Sequence, residues 1–167
     1  MYKLIITFIF FIIIPIQLFA DQNDKRLNYL FDKLVIAKEE QEIHKLTNQI
    51  WKIWHEIDDP KMTREFETGV QMMTLGYFKR SIDYFDKVIM KNPNFAEAWN
   101  KRATAHFMMG NFDLSMQDIS QTLQLEPRHF GALDGMSLIF IHTNQYEKAI
   151  EIYDLMLEIF PYSIGTQ

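Results

Sequence analysis

The chain has 167 residues, 48% of them hydrophobic and 23% charged, with a formal net charge of −5. These proportions exclude a wholly disordered chain, and the length holds one domain with a small appendage but not two large catalytic domains. The acidic balance offers phosphate backbones no net attraction, which argues against a nucleic-acid partner, and the absence of cysteine removes disulfides, thiolate zinc sites and cysteine nucleophiles together.

Lys3 precedes a predominantly apolar run from Leu4 to Ile14; Pro15 and Gln17 then interrupt it, and Leu18, Phe19 and Ala20 lead into the polar Asp21 to Asp24. This is the layout of a secretory signal over residues 1–20, cleaved after Ala20. An uncleaved signal anchor is the alternative, but the run falls short of the ~20 apolar residues that cross a bilayer, and Pro15 weakens its helix. The expectation is an exported protein, periplasmic if the source is Gram-negative, with no stable membrane span after cleavage.

Residues 21–61 follow. Leu27, Leu30, Phe31, Leu34 and Val35, then Ile43, Leu46, Ile50, Ile53, Trp54 and Ile57, recur at helical spacing and predict a helix pair. Its simplest role is to cap the element that follows, or to be a degenerate copy of it, with Trp51 and Trp54 as its packing edge. At its end His55, Glu56, Asp58 and Asp59 make the best local grouping for a metal. They follow a helix end and lack a second ligand at helical spacing, so a solvated acidic terminus is expected instead.

From residue 62 the chain repeats. Pro93, Pro127 and Pro161 lie 34 residues apart, and the same shift superposes Gly69, Ala103 and Ser137; Gly76, Gly110 and Asn144; Ser81, Ser115 and Ala149; and Phe85, Ile119 and Tyr153. Apolar spacing inside each unit is helical, and Gly76, Gly110 and Asn144 fall midway, where a left-handed helix end belongs. First helices are predicted at about 62–75, 96–109 and 130–143, and second helices at about 78–91, 112–125 and 146–159. The prolines end the second helices by forcing Asn92, Glu126 and Phe160 out of helical geometry. The aligned small residues let the two helices of a pair approach closely.

These positions resemble the tetratricopeptide repeat family, whose pattern reads W-x2-L-G-x2-Y, then A-x3-F, then P. The second unit, 96–129, shows Trp99, Arg102, Ala103, His106, Ser115, Ile119 and Pro127. The third, 130–161, shows Leu133, Met136, Ser137, Phe140, Ala149, Tyr153 and Pro161. The first, 62–95, departs most, with Glu65 and Thr68 where large apolar residues are usual. Arg102 replaces an apolar residue, so it must lift its head to water or pair with a carboxylate; the first needs no specific partner and is expected. His106 takes a core aromatic position and is expected as a satisfied imidazole, buried or half-buried. The resemblance implies an all-α fold, a solenoid of three helix pairs in a right-handed superhelix, with residues 162–167 as a tail.

The resemblance also implies that the first helices form an inner wall that binds a protein or peptide, extended or helical. Its rows are Thr63, Glu97 and Gly131; Phe66, Asn100 and Asp134; Val70, Thr104 and Leu138; Met73, Phe107 and Ile141; and Thr74, Met108 and His142. Family members that clamp a C-terminal carboxylate use Lys or Arg and Asn, and the matching first-unit positions here are Phe66 and Val70, so that clamp is missing. Asn100 has the chemistry to hold peptide amides, Lys101 and Arg102 to attract acid, and Gly131 and Gly135 either to permit tight packing or to leave room. At the C-terminal end, Tyr153, Met156, Leu157 and Phe160 would sit where a further repeat packs, and predict association with a second copy or another exported protein. No strong nucleophile, nucleotide or zinc motif is present, so neither an enzyme nor a cofactor is expected, and assembly of an envelope complex stands as an alternative role. The methionine doublets Met72-Met73 and Met108-Met109 are read as gap-filling rather than copper ligands, since adjacent helical residues diverge by about 100°.

Overall fold

The computed structural model describes residues 24–161; the expected signal over residues 1–20 and the tail 162–167 lie outside them. Eight helices and no strand occur among the described residues: α1 Lys25–Ile36, α2 Glu40–Trp54, α3 Pro60–Thr74, α4 Phe78–Lys91, α5 Ala96–Met108, α6 Phe112–Leu125, α7 Phe130–His142 and α8 Tyr146–Ile159. None of these helices is long and apolar enough to cross a membrane. Pairs α3–α4, α5–α6 and α7–α8 pack within themselves, and each stacks on the next.

Local chemistry sets the helix ends. Asp59 accepts hydrogen bonds from the Lys61 and Met62 backbone N–H groups, and Pro60 occupies the first turn, which starts α3 two residues earlier than the apolar pattern implies. The first helices close through left-handed residues, Gly76 at φ 78°, Gly110 at φ 75° and Asn144 at φ 58°. In each case the next N–H reaches back to a carbonyl five residues earlier: Tyr77 to Met72 at 2.8 Å, Asn111 to His106 at 2.9 Å and Gln145 to Phe140 at 2.8 Å. Gly110→Ala is therefore expected to lower stability by about 1 kcal/mol through backbone strain alone, since open space surrounds that position. A urea midpoint shift would measure it.

Within the first unit, Gly69 makes way for an aromatic ring: a Cβ there would lie 2.7 Å from Phe85 Cε1, and Phe85 is fully buried. In the second unit the small pair meets directly, with Ser115 Oγ donating to the Ala103 carbonyl at 2.8 Å. The irregular first turn of the first unit is tied down by polar contacts, Glu65 pairing with Lys91 and Thr68 Oγ1 donating to the Arg64 carbonyl.

Arg102 corrects the expectation of a head lifted to water. Its Nε and Nη2 donate to Asp118 at 2.8 and 2.6 Å, and its Nη1 to Asp86 at 2.5 Å. The planar guanidinium matches the carboxylate fork, so a specific partner outweighs hydration, and α4, α5 and α6 are tied together. These bonds raise the Arg102 pKa further. His106 also departs from expectation. Its Nδ1 is buried without a hydrogen-bond partner among the described residues, its Nε2 stands 4.0 Å from Asp118, and burial pulls its pKa down.

The α1–α2 hairpin supplies the largest correction. Its apolar face forms one core with Phe160, joined by Phe130 and Ile159 of the third unit, and α1 contacts α8. Rather than covering the outer side of the first unit, the hairpin folds back toward the third. Trp51 and Trp54 are indeed a packing edge, but against His129 and Phe130, with ring centroids 4.1 to 5.6 Å apart. Outside this core, Arg128 reinforces the contact from the loop between units, stacking on Phe31 at 4.3 Å and donating to Asn28 at 3.0 Å.

Candidate functional site

The inner wall is laid out by the 34-residue period, because equivalent positions on α3, α5 and α7 fall in rows across it, and α5 packs against both neighbours. The hairpin covers one end of these rows. In the first row, Glu97 is buried and Gly131 lies beneath Trp51, where a Cβ would meet Trp51 Cη2 at 2.8 Å. Gly131 thus answers to tight packing, whereas Gly135 lines open space.

Glu97 holds this cover in place. Its carboxylate accepts from His129 Nε2 at 2.9 Å and Asn100 Nδ2 at 3.1 Å, and pairs with Lys101 Nζ at 2.9 Å. His55 Nε2 stands 3.3 Å away. The proton positions follow from the partners. His129 Nδ1 accepts from the Ala132 N–H at 3.1 Å, so the neutral ring carries its proton on Nε2, facing Glu97. His55 Nδ1 faces the Trp51 carbonyl at 2.7 Å and must donate, so its Nε2 becomes a donor to Glu97 only when the ring is charged. Burial alone would raise the Glu97 pKa, but His129, Lys101 and His55 outweigh it and hold it down at about 2.

Of the acids at the end of α2, Glu56 pairs with Arg26 and Asp59 caps the α3 N-terminus. Lys101 and Arg102 are likewise committed to carboxylates of this chain.

The second row marks the edge of the cover. Phe66 is buried in the first-unit core beside Phe85 and Phe95, not presented to a ligand, because the small Gly69 draws the aromatic cluster inward. Asn100 is buried too, with its amide nitrogen spent on Glu97. The placement of Phe66 corrects the expectation that it greets a peptide, whereas Asn100 still lines the cavity between α5 and α7. Asp134, across the row, is exposed.

Beyond that edge the wall is open. Val70 and Met73 pack half-buried on the first-unit core, Phe107 lies half-buried against Phe112 and His142, Thr104 is exposed, and Leu138 and Ile141 are 37% and 38% exposed. Between α5 and α7 lies a cavity of about 150 Å³, with Thr104, Phe107, Asp134, Gly135 and Leu138 in its lining and Ile119 at its floor.

The end-face expectation is corrected in part. Met156 and Phe160 are buried, at 5% and 8% exposure, and for Phe160 the returning hairpin supplies the apolar cover that a further repeat would give. Tyr153 and Leu157 are half-buried, and the exposed large hydrophobic side chains of α8 are Tyr146, Ile150 and Leu155.

A stack of helical hairpins in 34-residue register, closed by the left-handed Gly76, Gly110 and Asn144 and presenting first helices on one wall, defines a helical-repeat solenoid. No protein-family model matches the chain. A TPR repeat-containing protein of Rhizobium etli is 31% identical over 137 residues, 82% of this chain and 67% of its own length. The chain belongs to the tetratricopeptide repeat family. Two solved structures share the fold. The first TPR domain of Spaghetti (RPAP3), bound to the HSP90 peptide SRMEEVD, superposes with a TM-score of 0.61 at 21% identity, over 65% of this chain and 86% of that one. MamA superposes with a TM-score of 0.60 at 19% identity, over 87% of this chain and 77% of its own.

Proposed function

We propose that the protein is a non-catalytic scaffold that captures a protein or peptide segment on the open part of its inner wall, in the exported compartment. The observation that carries this reading is the exposure of Leu138 and Ile141 on a wall where the equivalent apolar residues Val70, Met73 and Phe107 are half-buried. Apolar side chains held by a rigid helix in a concave surface gain by burying a partner's apolar groups, at roughly 25 cal/mol per Å². Export is supported by the charge, apolar run and small residue of residues 1–20.

The RPAP3 domain holds a peptide rich in acid. Here the open wall has Val70 and Leu138 in one row and Asp134 beside them, and the nearby cations Lys101 and Arg102 are taken. The proposed ligand is accordingly an internal apolar segment rather than an acidic C-terminus.

The double change Leu138→Glu and Ile141→Glu tests the reading. Both sites are partly exposed, so helicity by circular dichroism should stay at the wild-type level, while partners recovered by crosslinking in whole cells and mass spectrometry should fall at least about tenfold. Undiminished recovery would refute the wall as the binding surface.

A further inference from the structure

The open wall carries a charge that the chain itself does not answer. Asp134 is exposed, lines the cavity between α5 and α7, and makes no hydrogen bond or ion pair with any described residue. Every other side chain in that lining is neutral. The cations that approach this part of the wall face away from it: Lys101 is bound to Glu97 beneath the hairpin, and Arg102 to Asp118 and Asp86 behind α5. His142 packs edge-on against Phe107 and tilted beside Phe112.

The cavity has a definite size as well. A volume of about 150 Å³ matches the void that takes one benzene-sized group in a protein interior, so it suits one leucine or phenylalanine side chain. Gly135 helps to hold it open, since a Cβ there would already stand 3.4 Å from Ile119 Cδ1.

We infer that the wall selects a polypeptide segment in which a lysine or arginine adjoins a large apolar residue, the apolar side chain filling the cavity and the cation meeting Asp134. The inference rests on the wall being the binding surface and adds the charge of its ligand. Desolvation raises the Asp134 pKa, so its charged form stands to gain from an incoming cation. The sign is opposite to that of an acid-binding clamp.

The test is selection of random octapeptides displayed on phage against the purified full chain, followed by fluorescence anisotropy of the enriched peptides. Enriched sequences should pair Lys or Arg with Leu or Phe, and replacing the cation with glutamate should weaken binding about tenfold or more. Asp134→Asn should abolish that preference while keeping apolar binding, and Asp134→Lys should turn it toward acid. Enrichment of apolar peptides without a charge preference, or with an acidic one, would overturn the inference and leave the wall as a binding surface. Failure to enrich any apolar peptide would overturn both.

Discussion

Glu97→Ala is expected to destabilise the protein by about 3–5 kcal/mol, the range seen when one member of a buried ionic group is removed and its partners stay behind. Lys101 and His129 both lose their carboxylate, and the His129 Nε2–H is left buried against the tryptophans without an acceptor. Glu97→Gln keeps the shape and one carbonyl acceptor, so it should cost less than alanine. The same group gives stability a pH dependence. Folding lowers the Glu97 pKa from 4.5 to about 2, so its contribution is complete above pH 4.5 and is lost as the pH falls toward 2. Urea unfolding at pH 7 and pH 3 should show the wild type losing more stability on acidification than Glu97→Gln does. Equal losses would remove Glu97 from this role.

Trp54→Ala should cost a further 3–5 kcal/mol by a different route, the removal of a buried indole from a filled core. Trp54 stacks on His129 at 4.1 Å with an interplanar angle of 12°, and touches Trp51, Phe31 and Phe130. It is the point where the hairpin core joins the third unit, so its loss should loosen α1 and α2 before the repeats. Limited proteolysis should then cut within residues 24–59 while the 62–161 array remains protected. Simultaneous cleavage of both regions would show that the hairpin is not a separately attached cover.

Much of the repeat architecture was legible because it is local. Helical spacing, a left-handed residue at each midpoint and proline after each second helix act within a few residues, and α4, α6 and α8 occupy the spans the period predicts. The placement of the hairpin was not legible. Leu27, Leu34 and Ile50 announce a buried face, but amphipathicity does not say what covers it, and the answer lies about 100 residues away at Phe130 and Phe160. Arg102 shows the same limit. An arginine in an apolar position admits two solutions, and only the arrival of Asp118 and Asp86 from neighbouring helices selects one.

The candidate site divides along the same line. The resemblance to the repeat family assigns Leu138 and Ile141 to the wall, whereas the burial of Phe66 and Asn100 depends on contacts between units and with the hairpin. His129 belongs to none of the motifs read from the sequence. Its signal was present in the register, since the equivalent position in the preceding unit is Phe95, a buried residue just before α5, and a histidine in that place needs a buried partner. Glu97 is that partner, one unit earlier.

Site-specific photocrosslinking in cells tests the binding wall most directly. A benzophenone side chain placed at Ile141 on the open wall should capture a partner protein, whereas one at Met90, 83% exposed on α4, should not. Capture at position 90 with none at position 141 would contradict the inner wall as the surface that binds.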